Sequence, residues 1–214
     1  MPQRTTIIWD WNGTLLDDAG ICLESINKML KTRKLSELSI EKYREVFTFP
    51  VIDYYKKVGF DFQKEVWETV AMEFINLYLS ALPGCNLTPF ATETLSLFKK
   101  RGFRQAIISA MQHETLLKSV SEFGISQYFE YIGGIGDHYA GGKIDNARDY
   151  LSIAGLNPAQ ITLIGDTIHD SEVAAELQCR CILVTTGHQS SARLRSTGLP
   201  VIENLSEIES ILFN

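Results

Sequence analysis

Two apolar runs in this chain each end in an aspartate. Residues 5–10 read TTIIWD and residues 161–166 read ITLIGD. Both are short and rich in β-branched residues, which favours strand over helix. Their apolar character suits strands buried on both faces. Such strands belong in a parallel sheet covered by helices on each side. In that architecture ligands gather at the carboxyl ends of the strands. The two aspartates therefore fall where chemistry is expected.

The pattern of the remaining chain agrees. From residue 84 onward, helix and strand alternate. A helix is expected from the Thr88-Pro89 start to about 101, then a strand over 103–109 (FRQAIIS) and a helix over 114–123. A strand over 128–135, a helix over 146–154 and the strand ending at Asp166 follow. The pattern closes with a helix over 170–177, a strand over 180–185 and a helix over 205–213. Gly102, Gly124 and Gly155 sit where helices stop. Residues 17–82 differ: helix follows helix (17–33, 39–47, 51–58 and 63–82), with no strong strand. The expectation is an α/β core, Rossmann-like, of residues 1–16 and 84–214. A small all-helical segment, residues 17–83, is inserted after the first strand.

The length of 214 residues allows one domain with such an insert. Twenty basic against 26 acidic residues give a net charge of −6, which argues against a general nucleic-acid binder. It leaves room for an anionic small molecule in a locally positive pocket. No apolar run approaches the roughly 18 residues of a membrane helix. Residues 1–6 leave no space for a signal peptide before the first strand. The four cysteines, Cys22, Cys85, Cys179 and Cys181, suggest reduced thiols in a cytoplasmic protein rather than a disulfide framework. Oligomeric state is not legible.

The strand ends supply the candidates. The first delivers Asp10, followed by Asn12, Gly13 and Thr14. The second delivers Ser109, and a later one Asp166, with Asp170 four residues on. Lys143 follows Gly141-Gly142 ahead of a helix. Carboxylates hold a hard cation, lysine offsets charge on nucleophile and phosphate, and hydroxyls and amides bind phosphate oxygens. Each residue alone also fits a plain turn, cap or surface role. A phosphate-loop reading of 136–143 fails, because five residues separate Gly136 from Gly142 and Ile144 follows the lysine.

Residues 9–18 (WDWNGTLLDD) resemble the first signature of the haloacid dehalogenase-like hydrolase superfamily, whose phosphatases read Asp-x-Asp-Gly-Thr-Leu. IISAM (107–111), Lys143 and LIGDTIHDSEVA (163–174) resemble the other three signatures, in order. The helical segment matches the position of the small cap of the phosphoglycolate phosphatase-like and β-phosphoglucomutase-like branch. The resemblance implies an Mg²⁺-dependent phosphatase acting on a small phosphorylated metabolite. Asp10 would be the nucleophile and a metal ligand, and Asn12 would offer its backbone carbonyl to the metal. Ser109, the amide of Ala110 and Thr14 would serve the substrate phosphate. Lys143 would orient and neutralise, and Asp166 and Asp170 would complete the metal site. The cap would close over the site and select the substrate.

Asn12 departs from the pattern. An aspartate there would protonate the leaving group and activate water, and an amide does neither. Four readings follow. The enzyme is slow or favours good leaving groups; a cap residue such as Asp53, Glu45 or His138 substitutes; the protein binds phosphate or a metabolite with little turnover; or the asparagine was introduced to trap a complex. A phosphonatase using Lys28, Lys56 or Lys57 as a Schiff base is the sister chemistry to weigh. Residues 49–55 (FPVIDYY) are expected to face the site. Trp9 is expected to pack in the sheet, and Trp11 to reach the pocket mouth.

Overall fold

The computed structural model describes residues 5–136 and 142–213. The chain begins with β1 (Thr6–Trp9), β2 (Leu16–Asp17) and four helices: α1 (Ala19–Thr32), α2 (Ile40–Val46), α3 (Val51–Lys57) and α4 (Trp67–Ala81). Then follow β3 (Asn86–Leu87), α5 (Ala91–Lys100), β4 (Arg104–Gln112), α6 (His113–Glu122), β5 (Tyr131–Ile135) and α7 (Lys143–Ala154). The last third holds β6 (Ile161–Gly165), α8 (Ile168–Glu176), β7 (Arg180–Val184), α9 (Ser191–Arg195), β8 (Val201–Ile202) and α10 (Ile208–Phe213).

Six strands form one parallel sheet in the order β5-β4-β1-β6-β7-β8. All four residues of β1 are buried, as a central parallel strand requires. Successive side chains point to opposite faces. Ile7 and Trp9 pack with Leu95 and Phe98 of α5, while Ile8 packs with Ala147 of α7 and Val173 of α8. Helices therefore cover both faces, as the sequence implied. The Ile7 face continues into the helices after β2 through Trp11, Leu15, Met29, Tyr43 and Tyr78. One apolar cluster thus joins the sheet to α1–α4. The order of connections reverses beside β1, which places the ligand crevice at its carboxyl end.

Several boundaries differ from expectation. β4 runs past Ser109 to Gln112, with a register shift between Ile108 and Gln112. α5 starts at Ala91, after Phe90 in a left-handed conformation, because the Thr88 hydroxyl bonds the Thr14 carbonyl instead of capping a helix. α7 begins three residues early, at Lys143 itself. Trp9 packs in the sheet, but Trp11 does not reach a pocket mouth. It is fully buried and sits 6.1 Å from the ring of Phe123. A two-residue antiparallel ribbon, Leu16 with Leu87 and Asp17 with Asn86, went unseen in the sequence. Two residues carry no readable alternation.

Candidate active site

Asp10 follows β1 directly, and its amide donates to the Ile164 carbonyl at 2.8 Å. That bond extends the sheet ladder by one residue and fixes where the carboxylate starts. The carboxylate meets Lys143 Nζ at 2.8 Å, and the same ammonium lies 2.6 Å from Asp170. Asp170 also accepts from the Thr167 amide at 3.0 Å and its hydroxyl at 2.7 Å, a cap that pins the start of α8. Asp166 follows β6 and accepts from the Thr14 hydroxyl at 3.1 Å and the His188 amide at 2.7 Å. One oxygen from each of Asp10, Asp166 and Asp170 lies within 4.8 Å of the others.

Glycines make this approach possible. A Cβ on Gly13, whose φ is +70°, would fall 2.4 Å from Asp166 Oδ2, and one on Gly187 would fall 2.0 Å from it. Gly187→Ala should therefore push Asp166 aside. We expect a loss of about 2 kcal/mol and a Tm lower by about 4–8 °C, readable by thermal denaturation.

The three carboxylates are buried with one lysine among them. Burial, and repulsion from neighbouring acids, raise the Asp10 and Asp166 carboxyls above their ordinary values, with Lys143 and His188 opposing. For Asp170, burial is outweighed by Lys143 and the Thr167 donors, and its carboxyl is lowered. The cluster is thus short of positive charge. A hard divalent cation fits it, since the donors are carboxylate oxygens that converge.

Asn12 faces a different partner. Its amide nitrogen donates to Asp18 Oδ2 at 2.7 Å and lies 2.8 Å from the Tyr78 hydroxyl. Asp18 precedes α1, yet its side chain turns inward instead of capping the helix. It also accepts from the Gly13 amide at 2.8 Å and the Tyr78 hydroxyl at 2.9 Å, and His188 Nε2 stands 3.3 Å away. Nδ1 of His188 meets the Tyr43 hydroxyl at 2.8 Å. Burial opposes both charges. The pair still prevails: Asp18 is held below its usual range, and His188 is pushed up to about 9 by Asp18 and the more distant acids. The loop of Asp10 and Asn12 is thus tied to α1, α2, α4 and the segment after β7.

A cavity of about 190 Å³ opens over Asp10 between this end and the helices. Asn12, Ser109, Ala110, Lys143 and Asp166 line it with Asp10. Ser109 Oγ lies 3.4 Å from Asn12 Oδ1 and accepts from the Met111 amide. Thr14 does not line the cavity: its hydroxyl is spent on Asp166. Asp170 sits behind Lys143, outside the lining. Phe49, Val51, Tyr54 and Tyr55 do line it, and so bring residues 49–55 to the site, largely on α3. Glu45 and Asp53 are not in the lining, and Asp53 pairs with Lys56. Lys28, Lys56 and Lys57 are exposed and also outside it, so none of these three is placed to form a Schiff base in the cavity. His138 lies outside the described residues. Sequence reasoning missed Asp18, Tyr43, Tyr78 and His188. His188 follows β7, so the strand-end rule applied to that strand would have flagged it.

Comparison with known proteins points one way. The family model for haloacid dehalogenase-like hydrolases matches residues 7–184. The chain is 27% identical to phosphoglycolate phosphatase of Aquifex aeolicus over 188 residues, covering 85% of each. A haloacid dehalogenase-like protein of unknown function from Agrobacterium tumefaciens superposes with a TM-score of 0.82 at 19% identity, covering 98% of both chains. Protein tyrosine kinase A of Mycobacterium tuberculosis gives 0.81 at 20% identity over 100% of both. At such identities the two structures speak for the fold alone. Among the described residues no helix is long and apolar enough to cross a membrane. With the family match spanning most of the sequence, the chain belongs to the haloacid dehalogenase-like hydrolases.

Proposed function

We propose that this protein is an Mg²⁺-dependent phosphatase that hydrolyses a small phosphomonoester through an aspartyl-phosphate on Asp10. The observation that carries the reading is the Asp10 carboxylate held at 2.8 Å by Lys143 in a cavity, with two further carboxylates converging on it. Asp10, Asp166, Asp170 and the backbone carbonyl of Asn12 would hold the metal. Bound there, Mg²⁺ offsets the charge of the phosphate during transfer.

The chain's own residues do the rest. Asp10 attacks phosphorus and releases the alcohol. The Ser109 hydroxyl and the Ala110 amide bind phosphate oxygens, and Lys143 keeps Asp10 oriented and ionised. Water then cleaves the acyl phosphate and restores Asp10. The Asn12 amide lends no proton to the leaving oxygen, so good leaving groups are favoured. The helices α1–α4 cover the site as a cap, and Trp67, Phe74 and Tyr78 of α4 line the cavity. We assign the protein to the cytoplasm, in line with its four free thiols.

Phosphate release from a panel of phosphomonoesters tests this reading. Release is expected with Mg²⁺, loss with a chelator, and recovery on adding Mg²⁺ back. A ligand that raises Tm without any release would instead mark a binding protein.

A further inference from the structure

Resting on the phosphatase reading, we propose that the substrate is an aryl phosphate: the phosphomonoester of an uncharged aromatic alcohol. Much of the cavity lining is rings and aliphatic chains, among them Phe47, Phe49, Trp67, Phe74, Ile75 and Leu79. Its volume of about 190 Å³ exceeds the roughly 150 Å³ in which an apolar protein cavity takes up benzene. One ring fits beside a phosphate seated at Asp10.

Charge argues the same way. Three cationic or titratable basic side chains line the cavity among the described residues, and each is engaged. Lys143 holds Asp10 and Asp170, His188 faces Asp18, and His169 pairs with Glu172 while its ring lies 4.8 Å from that of Phe49. A second anionic group on the substrate, such as the carboxylate of phosphoglycolate, would find no free cation among the described lining residues, only neutral donors such as the Tyr54 hydroxyl, and a buried charge without a counter-charge is costly.

Asn12 supplies an independent reason. The P–O bond to the leaving oxygen breaks with its electron pair on that oxygen. A phenolate, with a conjugate acid near pKa 10, bears that pair without a proton donor far better than an alkoxide does. The Asp10–phosphorus bond forms as the aryl oxygen leaves. Water then attacks phosphorus and Asp10 is released. One proton of that water ends on the phenolate, and the net products are a phenol and hydrogen phosphate.

The test compares phenyl phosphate, cyclohexyl phosphate and phosphoglycolate with Mg²⁺ present. We expect kcat/KM for phenyl phosphate to exceed that for phosphoglycolate by at least about 100-fold. Cyclohexyl phosphate should show a similar KM and a kcat lower by about 100-fold or more. Leu79→Lys, at a cavity position 37% exposed, should shift the phenyl phosphate to phosphoglycolate ratio by at least about 10-fold toward phosphoglycolate. Equal or preferred turnover of phosphoglycolate would overturn the inference and leave the phosphatase reading intact. If no ester releases phosphate, the phosphatase reading fails. Calorimetric binding then still decides the cavity: phenyl phosphate tighter by about 10-fold supports its aromatic preference, and equal or weaker binding overturns it.

Discussion

Replacing Asp10 with asparagine is expected to lower phosphate release by at least about 10³-fold and leave the fold in place. The amide has the shape of the carboxylate and none of its nucleophilicity. Lys143 keeps its second partner, Asp170, 2.6 Å away. Burial already disfavours ionised Asp10, so removing that charge should not lower Tm. Phosphate release and thermal denaturation on the same preparation check both halves. A variant that keeps the original rate would place the nucleophile elsewhere.

The second large effect concerns Asn12. From sequence alone, Asn12→Asp should restore a general acid and base and raise the rate by about 10²–10⁴-fold. The structure changes that expectation. Asn12 donates to Asp18 at 2.7 Å, so a carboxylate there would face another across a lost hydrogen bond, with Asp18 fully buried and position 12 partly so. The single variant should lose about 3 kcal/mol and about 6–12 °C in Tm. Any gain in rate should be muted, because one of the two acids must stay protonated. The exchange Asn12→Asp with Asp18→Asn restores one donor and one acceptor. It should recover most of the stability and show the increase in kcat. Rates and Tm for both singles and the double form the cycle that decides it. If Asn12→Asp alone is as stable as the parent and no faster, the missing-acid argument falls.

The difference between those expectations marks what the sequence could and could not convey. Asp10 and Asp166 follow strands, Lys143 opens a helix, Asp170 lies in the first turn of another and Ser109 sits near the carboxyl end of β4, so local pattern singled them out. Strand and helix types in the core were legible for the same reason: apolar runs between turns leave few options. Asp18 and His188 stand 170 positions apart in numbering, and they meet only because α1 and the segment after β7 close on the same loop. No spacing rule encodes such a meeting. Trp11 was misplaced because burial between sheet and helices is a tertiary outcome. The early start of α7 was missed because Gly142, in a left-handed conformation, stops nothing when it precedes a helix.

The ribbon of β2 and β3 has an evolutionary corollary. Leu16 pairs with Leu87 and Asp17 with Asn86, so the intervening 68 residues leave and rejoin the sheet-bearing part roughly 5 Å apart. Such a segment is an interchangeable part: another set of helices could be grafted at the same joint without moving a strand. The graft would not be neutral, however. It would carry away Asp18, Tyr43 and Tyr78, and with them the acceptor that makes asparagine suitable at position 12. Recipient and donor would have to change together, which makes Asn12 and Asp18 a matched pair across the joint.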